Sequence, residues 1–477
     1  MSVLPSCQTV ATLLCVFLAV SSLGAKPLQL TDTRGKTIKA EVLGLSGDKV
    51  RLEMKGKEYT LPLSRFSAES QALLQEAGQK GEQLNQALGQ PLFTPGKTLW
   101  EEPAETLAKR LEWPEESKTP YTSSYRLYPR ESYLFAGAPA RTAVAYGNEK
   151  GHTELLSIIF SNKGDTLSSV GSGEDHFDER GTKINPETLA GAMKLDEVRI
   201  SKALTSILGP PEDQAMFAQG SSKIKNKRWD WNGHSFLLSL SDEEYVRLRV
   251  APISFAEAGG KTERISDQDM RKRLASNVTR NSAGDVYIDN IPMVDQGPKG
   301  YCAPATFERA MRHAGVAADM YLLATLATSP GGGTYTELLY DKVAFTTRSK
   351  GGRSAKEITL NSLQPGRIKR YIEKGVPVLW RMRSVSSYND IANERSKARK
   401  DVKNWGDWAR KVDAEAEKNL PGLRNGTNYH ICLIVGYNEN TGELAVSDSW
   451  GPEYERRWIH WKEAEAVSQR GAYLIDL

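Results

Sequence analysis

Residues 28 to 62 alternate apolar and polar positions in short runs, KAEVLGL, KVRLEM and EYTLPL, separated by the turns RGK, SGD and KGK. A period of two sends successive side chains to opposite faces, so these runs predict short antiparallel strands closing into a small barrel. From about Ser67 the apolar spacing lengthens in SRFSAESQALLQEAGQ and predicts a helix. Residues 79–105 are polar and carry Pro91, Pro95 and Pro103, which predicts a linker or irregular surface path. Beyond it, RTAVAYG and ELLSIIFSN read as strands, and LDEVRISKALTSILGPP reads as a helix stopped by Gly209, Pro210 and Pro211. KRWDWNGHSFLLSL reads as a hairpin turning at Asn232-Gly233, and EYVRLRVAP adds a strand. This order predicts one α+β domain over 106–284, of no recognised family.

The last two-fifths of the chain has a different texture. In DQGPKGYCAPATFERAM, the residues Phe307, Ala310, Met311 and then Ala314 recur at helical spacing, Pro304 sits in the first turn, and Gly315 follows as a stop. Cys302 therefore begins a helix, where unpaired N–H groups and the positive end of the dipole favour a thiolate. The GPKG turn before it keeps Gln296 close. Further on, NYHICLIVGYNENTGELAVSDSWG reads as a two-strand hairpin in which His430 opens one strand and Asp448 closes the other. Those ends are adjacent in an antiparallel pair. A thiol nucleophile needs a base from a distant segment, and an imidazole whose tautomer is fixed by a carboxylate is such a base.

Composition narrows the alternatives. The chain has 477 residues, 39% of them apolar and 26% charged, which is enough for several cores. With 63 basic and 59 acidic residues and no long basic block, nucleic acid is excluded as a partner. Val10 to Val20 is almost wholly apolar and is followed by Ser21, Ser22, Gly24 and Ala25, the pattern of a signal peptide over 1–25, with a retained membrane anchor as the alternative; no later segment is apolar enough to span a membrane. An exported chain with only Cys302 and Cys432 in its mature part has no disulfide framework. Cys432 shares a strand face with His430 and reads as buried and inert, with a Cys302–Cys432 redox bond as the alternative. GEDHFDER around His176 lacks a second ligand segment, so no metal and no cofactor is expected. His313 and His460 read as packing residues, and Asn277-Val-Thr279 and Asn425-Gly-Thr427 are formal glycosylation sequons. The charged stretch between Ser384 and Thr427, with Trp405 and Trp408, predicts a solvated helical pair, or else a lid or substrate-recognition arm.

Two resemblances add to this reading. The stretch from 28 to about 78 resembles the small SH3-like barrel of the first Sla homology type, which implies a binding or spacer module for a protein or cell-envelope ligand. From about Tyr287 to Leu477, Gln296 before Cys302, His430 opening a strand, Asp448-Ser-Trp-Gly, and the helix-then-strand LQPGRIKRYIEKGVPVLWRM are similar to the papain-like cysteine peptidases, nearest the double-glycine leader peptidase branch. The resemblance implies Cys302 as nucleophile, His430 as base then acid, Asp448 as its orienting residue and Gln296 as oxyanion donor. Lys299 stands where papain has a half-cystine, and Asp448 where it has Asn. The chain as a whole is thus expected to be an α+β multidomain protein: signal peptide 1–25, SH3-like β-barrel plus helix 26–78, linker 79–105, central α+β domain 106–284, and papain-like α+β cysteine peptidase domain 285–477. The expected function is an exported bacterial peptidase (periplasmic, cell-envelope or secreted) acting on a peptide or protein substrate. A non-catalytic scaffold and an amidase or transglutaminase-like acyl transferase remain open.

Overall fold

The computed structural model describes residues 28–55, 57–95, 97–129, 132–167, 186–217, 223–241, 244–327, 334–348, 352–424, 426 and 428–477. The leader, the His176 stretch and the Asn425/Thr427 sequon lie outside the described residues.

The first strands, Leu28–Thr31, Thr37–Ser46, Lys49–Met54 and Lys57–Pro62, pair in sequence order as an antiparallel meander. The barrel expected here is not closed: the first strand does not pair with the fourth, and the nearest approach to closure is a single bridge between Asp32 and Phe66. The apolar face, with Leu30, Ala40, Val50 and Leu52, is instead covered by Leu63, Phe66 and Leu74. Leu74 comes from the helix Ala68–Leu88, whose N-cap Ser67 accepts from the Ser70 N–H.

That helix runs on through the region read as a linker. Its later residues Leu84 and Leu88 lie in a second core with Leu92, Phe93, Leu99 and Ala104. The prolines punctuate a packed path: Pro103 caps the helix Ala104–Leu111, and Arg110 donates to the Pro91 and Leu92 carbonyls. Polar composition misled because buried and exposed residues alternate irregularly here.

The second core is one side of an eight-stranded antiparallel sheet. Its order is Glu212–Phe217, Lys223–Trp231, His234–Ser241, Tyr245–Pro252, Thr153–Asn162, Thr142–Gly147, Ser123–Leu127 and Glu115–Lys118. The helix Pro186–Leu208 lays Leu189, Met193, Ile200 and Leu204 on it. The hairpin turns at Asn232 and Gly233 with φ of 45° and 73°, the left-handed pair that a two-residue turn requires.

The third sheet runs Val278–Arg280, Asp285–Ile288, Asn428–Asn438, Val378–Ser384, Ser468–Asp476 and Ser354–Thr359, with Glu443–Ser447 and Arg457–His460 continuing from the Asn428–Asn438 strand. The helix Cys302–His313 packs Phe307, Ala310 and Met311 into the core of this sheet, among Trp380, Leu433 and Tyr473. The stretch expected to be a solvated helical pair forms two helices, Ser386–Ala398 and Trp405–Leu423, but they are packed down. Tyr388, Ala392, Trp408 and Val412 are buried, and Arg395 and Arg399 form buried ion pairs with Glu463 and Glu443. Alternating charge in the sequence hid these partners. Among the described residues, no helix is long and apolar enough to cross a membrane.

Candidate active site

Cys302 opens its helix with Tyr301 as N-cap, and it is partly accessible where the residues that follow are buried. One turn on, the Thr306 hydroxyl donates to the Ile431 carbonyl at 3.0 Å, which fastens the start of this helix to the strand residue next to His430. Arg309, on the next turn, donates to the Asp448 carbonyl at 2.9 Å and to the Ser447 hydroxyl at 2.6 Å. The helix is thus tied to both strands of the hairpin. Arg309 is fully enclosed, and its guanidinium is pulled down to about 10 by burial.

His430 and Asp448 meet directly. Nε2 of His430 lies 2.9 Å from Oδ1 of Asp448, both side chains almost completely shielded from water. The Trp450 ring stacks on the imidazole with centroids 4.8 Å apart. The second carboxylate oxygen of Asp448 accepts from Arg457 at 2.6 Å. Burial alone would push this carboxyl up, but Arg457, and after it His430, hold it well below the usual carboxylate range. The guanidinium beside it thus favours the anionic form of Asp448.

Arg457 is itself held from the helix Ser386–Ala398, donating to Asn389 at 3.1 Å and Asn393 at 2.9 Å. This helix thus supports the carboxylate through Arg457. Neither Arg457 nor Arg309 is singled out by sequence reasoning. The one available signal is that Arg456 and Arg457 adjoin the short strand Arg457–His460, where alternation turns one arginine out, onto Asp289, and the other in.

Gln296 is brought to the same place by the next residue of the hairpin. Its N–H donates to the Ser449 carbonyl at 2.8 Å, and its side-chain oxygen accepts from the Ser449 hydroxyl at 2.8 Å. Its Nε2 donates to the Lys299 carbonyl at 2.8 Å. One amide hydrogen is used there, and the group carries a second.

Cys432 is wholly buried, 3.9 Å from the Met382 sulfur, and burial pushes its thiol well above the ordinary value. Both Cys302 and Cys432 are free thiols. His430, Cys432 and Asp448 offer ligand atoms within 4.8 Å of one another, a spacing that a metal could use. The guanidinium on Asp448 and the protonated Cys432 thiol oppose a cation there. Nε2 of His313 donates to the Gly375 carbonyl, 2.9 Å away, and burial takes both it and His460 down to about 4, in keeping with packing roles. Asn277 of the remaining sequon is buried.

Residues 288–473 match the family described as "Peptidase_C39 like family". Among solved structures, the peptidase domain of Streptococcus ComA, a bifunctional ABC transporter involved in a quorum-sensing pathway, aligns over 39% of this chain and 98% of its own at 12% identity, with a TM-score of 0.25. No curated protein matches the chain. The C-terminal region is therefore similar to the C39 peptidases, a cysteine peptidase class, in a mixed α/β chain of several sheets.

Proposed function

We propose that this chain is an exported cysteine peptidase that cleaves a peptide or protein substrate through Cys302, His430 and Asp448, with Gln296 in the oxyanion site. The observation that carries the reading is the shielded His430–Asp448 hydrogen bond, beside the strand carbonyl that the Cys302 helix grips. With Nε2 of His430 committed to the carboxylate, the reading gives Nδ1 to the thiol. His430 takes the Cys302 proton, leaving a thiolate beside an imidazolium. The thiolate attacks the scissile carbonyl, and the carbonyl oxygen takes the charge towards the Gln296 amide and the Cys302 N–H. His430 returns the proton to the leaving amine, which departs to leave a thioester on Cys302. Water then attacks the thioester, His430 accepts its proton, and the carboxylic acid leaves as the thiol is restored.

The apolar Val10–Val20 run with small residues after it supports export, and the four-stranded meander supports a docking role towards a protein or cell-envelope ligand. Alkylation by iodoacetamide at pH 6 tests the chemistry. Modification should map to Cys302, disappear in Cys302→Ala and slow at least about 100-fold in His430→Ala, since a free thiol is barely ionised at that pH. Equal rates in the native chain and His430→Ala would end the peptidase reading.

A further inference from the structure

The turn that delivers Cys302 does not stand on its own sheet alone. Ser117 and Glu116, on the edge strand of the central sheet, accept the N–H groups of Met293 at 2.9 Å and Asp295 at 2.7 Å, and the Tyr128 hydroxyl donates to the Asp295 carbonyl. Lys299, with no exposed surface, reaches Asp165 at 2.7 Å and Tyr321 at 2.6 Å, its ammonium lying over the Tyr128 and Tyr321 rings. Asp165 belongs to the short turn Lys163–Leu167 after a central strand and is fixed by Asn162. Two glycines let the segments close up. A Cβ at Gly164 would come within 2.6 Å of the Tyr301 ring, and one at Gly297, whose φ is +64°, within 2.6 Å of the Tyr128 ring. The Lys299 carbonyl, held in this way, accepts both the Tyr301 N–H and the Gln296 amide.

We propose that the central sheet sets the oxyanion geometry of the site, with Asp165 and Lys299 as positioning residues that aim the Gln296 amide. The proposal rests on the peptidase reading and deepens it. A buried lysine is held here by a carboxylate from the Lys163–Leu167 turn, and its own carbonyl is the acceptor that fixes the Gln296 amide. Loss of the ion pair frees the 297–301 turn and, through the carbonyl, the direction of the amide. The thiol and its base are fastened separately, by Thr306 and Arg309, so their reactivity does not depend on Asp165.

Two small reagents separate these effects in the full-length protein. p-Nitrophenyl acetate transfers its acetyl group to Sγ of Cys302 and releases p-nitrophenolate, building charge on the carbonyl oxygen. Iodoacetamide alkylates the same sulfur with no oxyanion. In Asp165→Asn and Lys299→Met, acylation should fall about 10- to 100-fold, while alkylation keeps its rate within about two-fold and its pH profile. Adding Asp165→Asn to Gln296→Ala should lower acylation no further than Gln296→Ala alone. Acylation unchanged in Asp165→Asn, acylation and alkylation falling together, or additive losses in the double variant would each overturn the proposal. Asp165→Asn keeps the size and hydrogen-bonding shape of the side chain, so it serves where Lys299→Met does not fold. Loss of the His430 requirement in alkylation would instead overturn the peptidase reading, independently of these results.

Discussion

Asp448 serves two partners at once, an imidazole on one oxygen and a guanidinium on the other. Since Arg457 already balances the carboxylate charge, the pair presents His430 with something closer to a neutral acceptor than to a lone anion, which narrows the difference from an amide in the same place. Arg457→Met should therefore do more than loosen a contact. It leaves Asp448 buried with only His430 beside it, so the carboxyl rises and the acid limb of the pH–rate profile moves up with it. The same change should cost about 3–5 kcal/mol of stability, the usual result of stranding half of a buried pair. A pH–rate profile and a urea titration check both, and an unmoved acid limb would mean that Arg457 does not hold the Asp448 charge. The helix start at Cys302 and the meeting of His430 with Asp448 are legible in the sequence because each residue marks the end of an element with a strong period. Arg457 is not, since nothing local tells a buried arginine from a solvated one; its partners Asn389 and Asn393 come from a helix that reads as surface.

At the scale of elements, the Cys302 helix carries more charge into the interior than its apolar spacing suggests. Glu308 is fully buried, accepting from the Met320 N–H at 2.7 Å, and burial pushes its carboxyl up to about 7. Asp295, before the helix, is pushed up to about 6 in the same way. In both, the folded state binds the proton more tightly than the unfolded chain, whose carboxyls titrate near 4. Their contribution to stability is complete below about pH 4 and is lost as the pH rises towards 7. Thermal midpoints should fall between pH 5 and pH 8, and Glu308→Gln should flatten that slope; a flat native profile would show that neither carboxyl is raised. Strands and helices with an unbroken period are legible in the sequence, as in the hairpin at Asn232-Gly233 and the helix ending before Gly209. The fold departs from the reading where burial comes from distant partners: Arg395 of Ser386–Ala398 pairs with Glu463, and Trp408 and Asn419 of Trp405–Leu423 donate to Glu443 and Glu463, far along the chain.

On the scale of the whole molecule, the sheets share more than a boundary. Ile159 and Tyr245 of the central sheet form one apolar cluster with Val294, Tyr301, Ala305, Met320 and Tyr321 from the region around the Cys302 helix. Ion pairs cross the same face from Arg247 to Asp319 and from Lys299 to Asp165. A fragment spanning 285–477 should thus expose this cluster and unpaired charges, and should bind a hydrophobic dye and melt non-cooperatively where the full chain does not. A sharp, dye-free melt for the fragment would sink that expectation. Sequence reading separates these regions because each has its own local pattern, and a pattern within a segment says nothing about faces matched between segments. The helix Ala68–Leu88, about 30 Å long at the usual rise, has Leu74 in the small N-terminal core and Leu84 and Leu88 in the central one. With one end set in each, it leaves the meander no tether on which to tumble, and a tug on that module would be felt as a push on the central sheet rather than absorbed as slack.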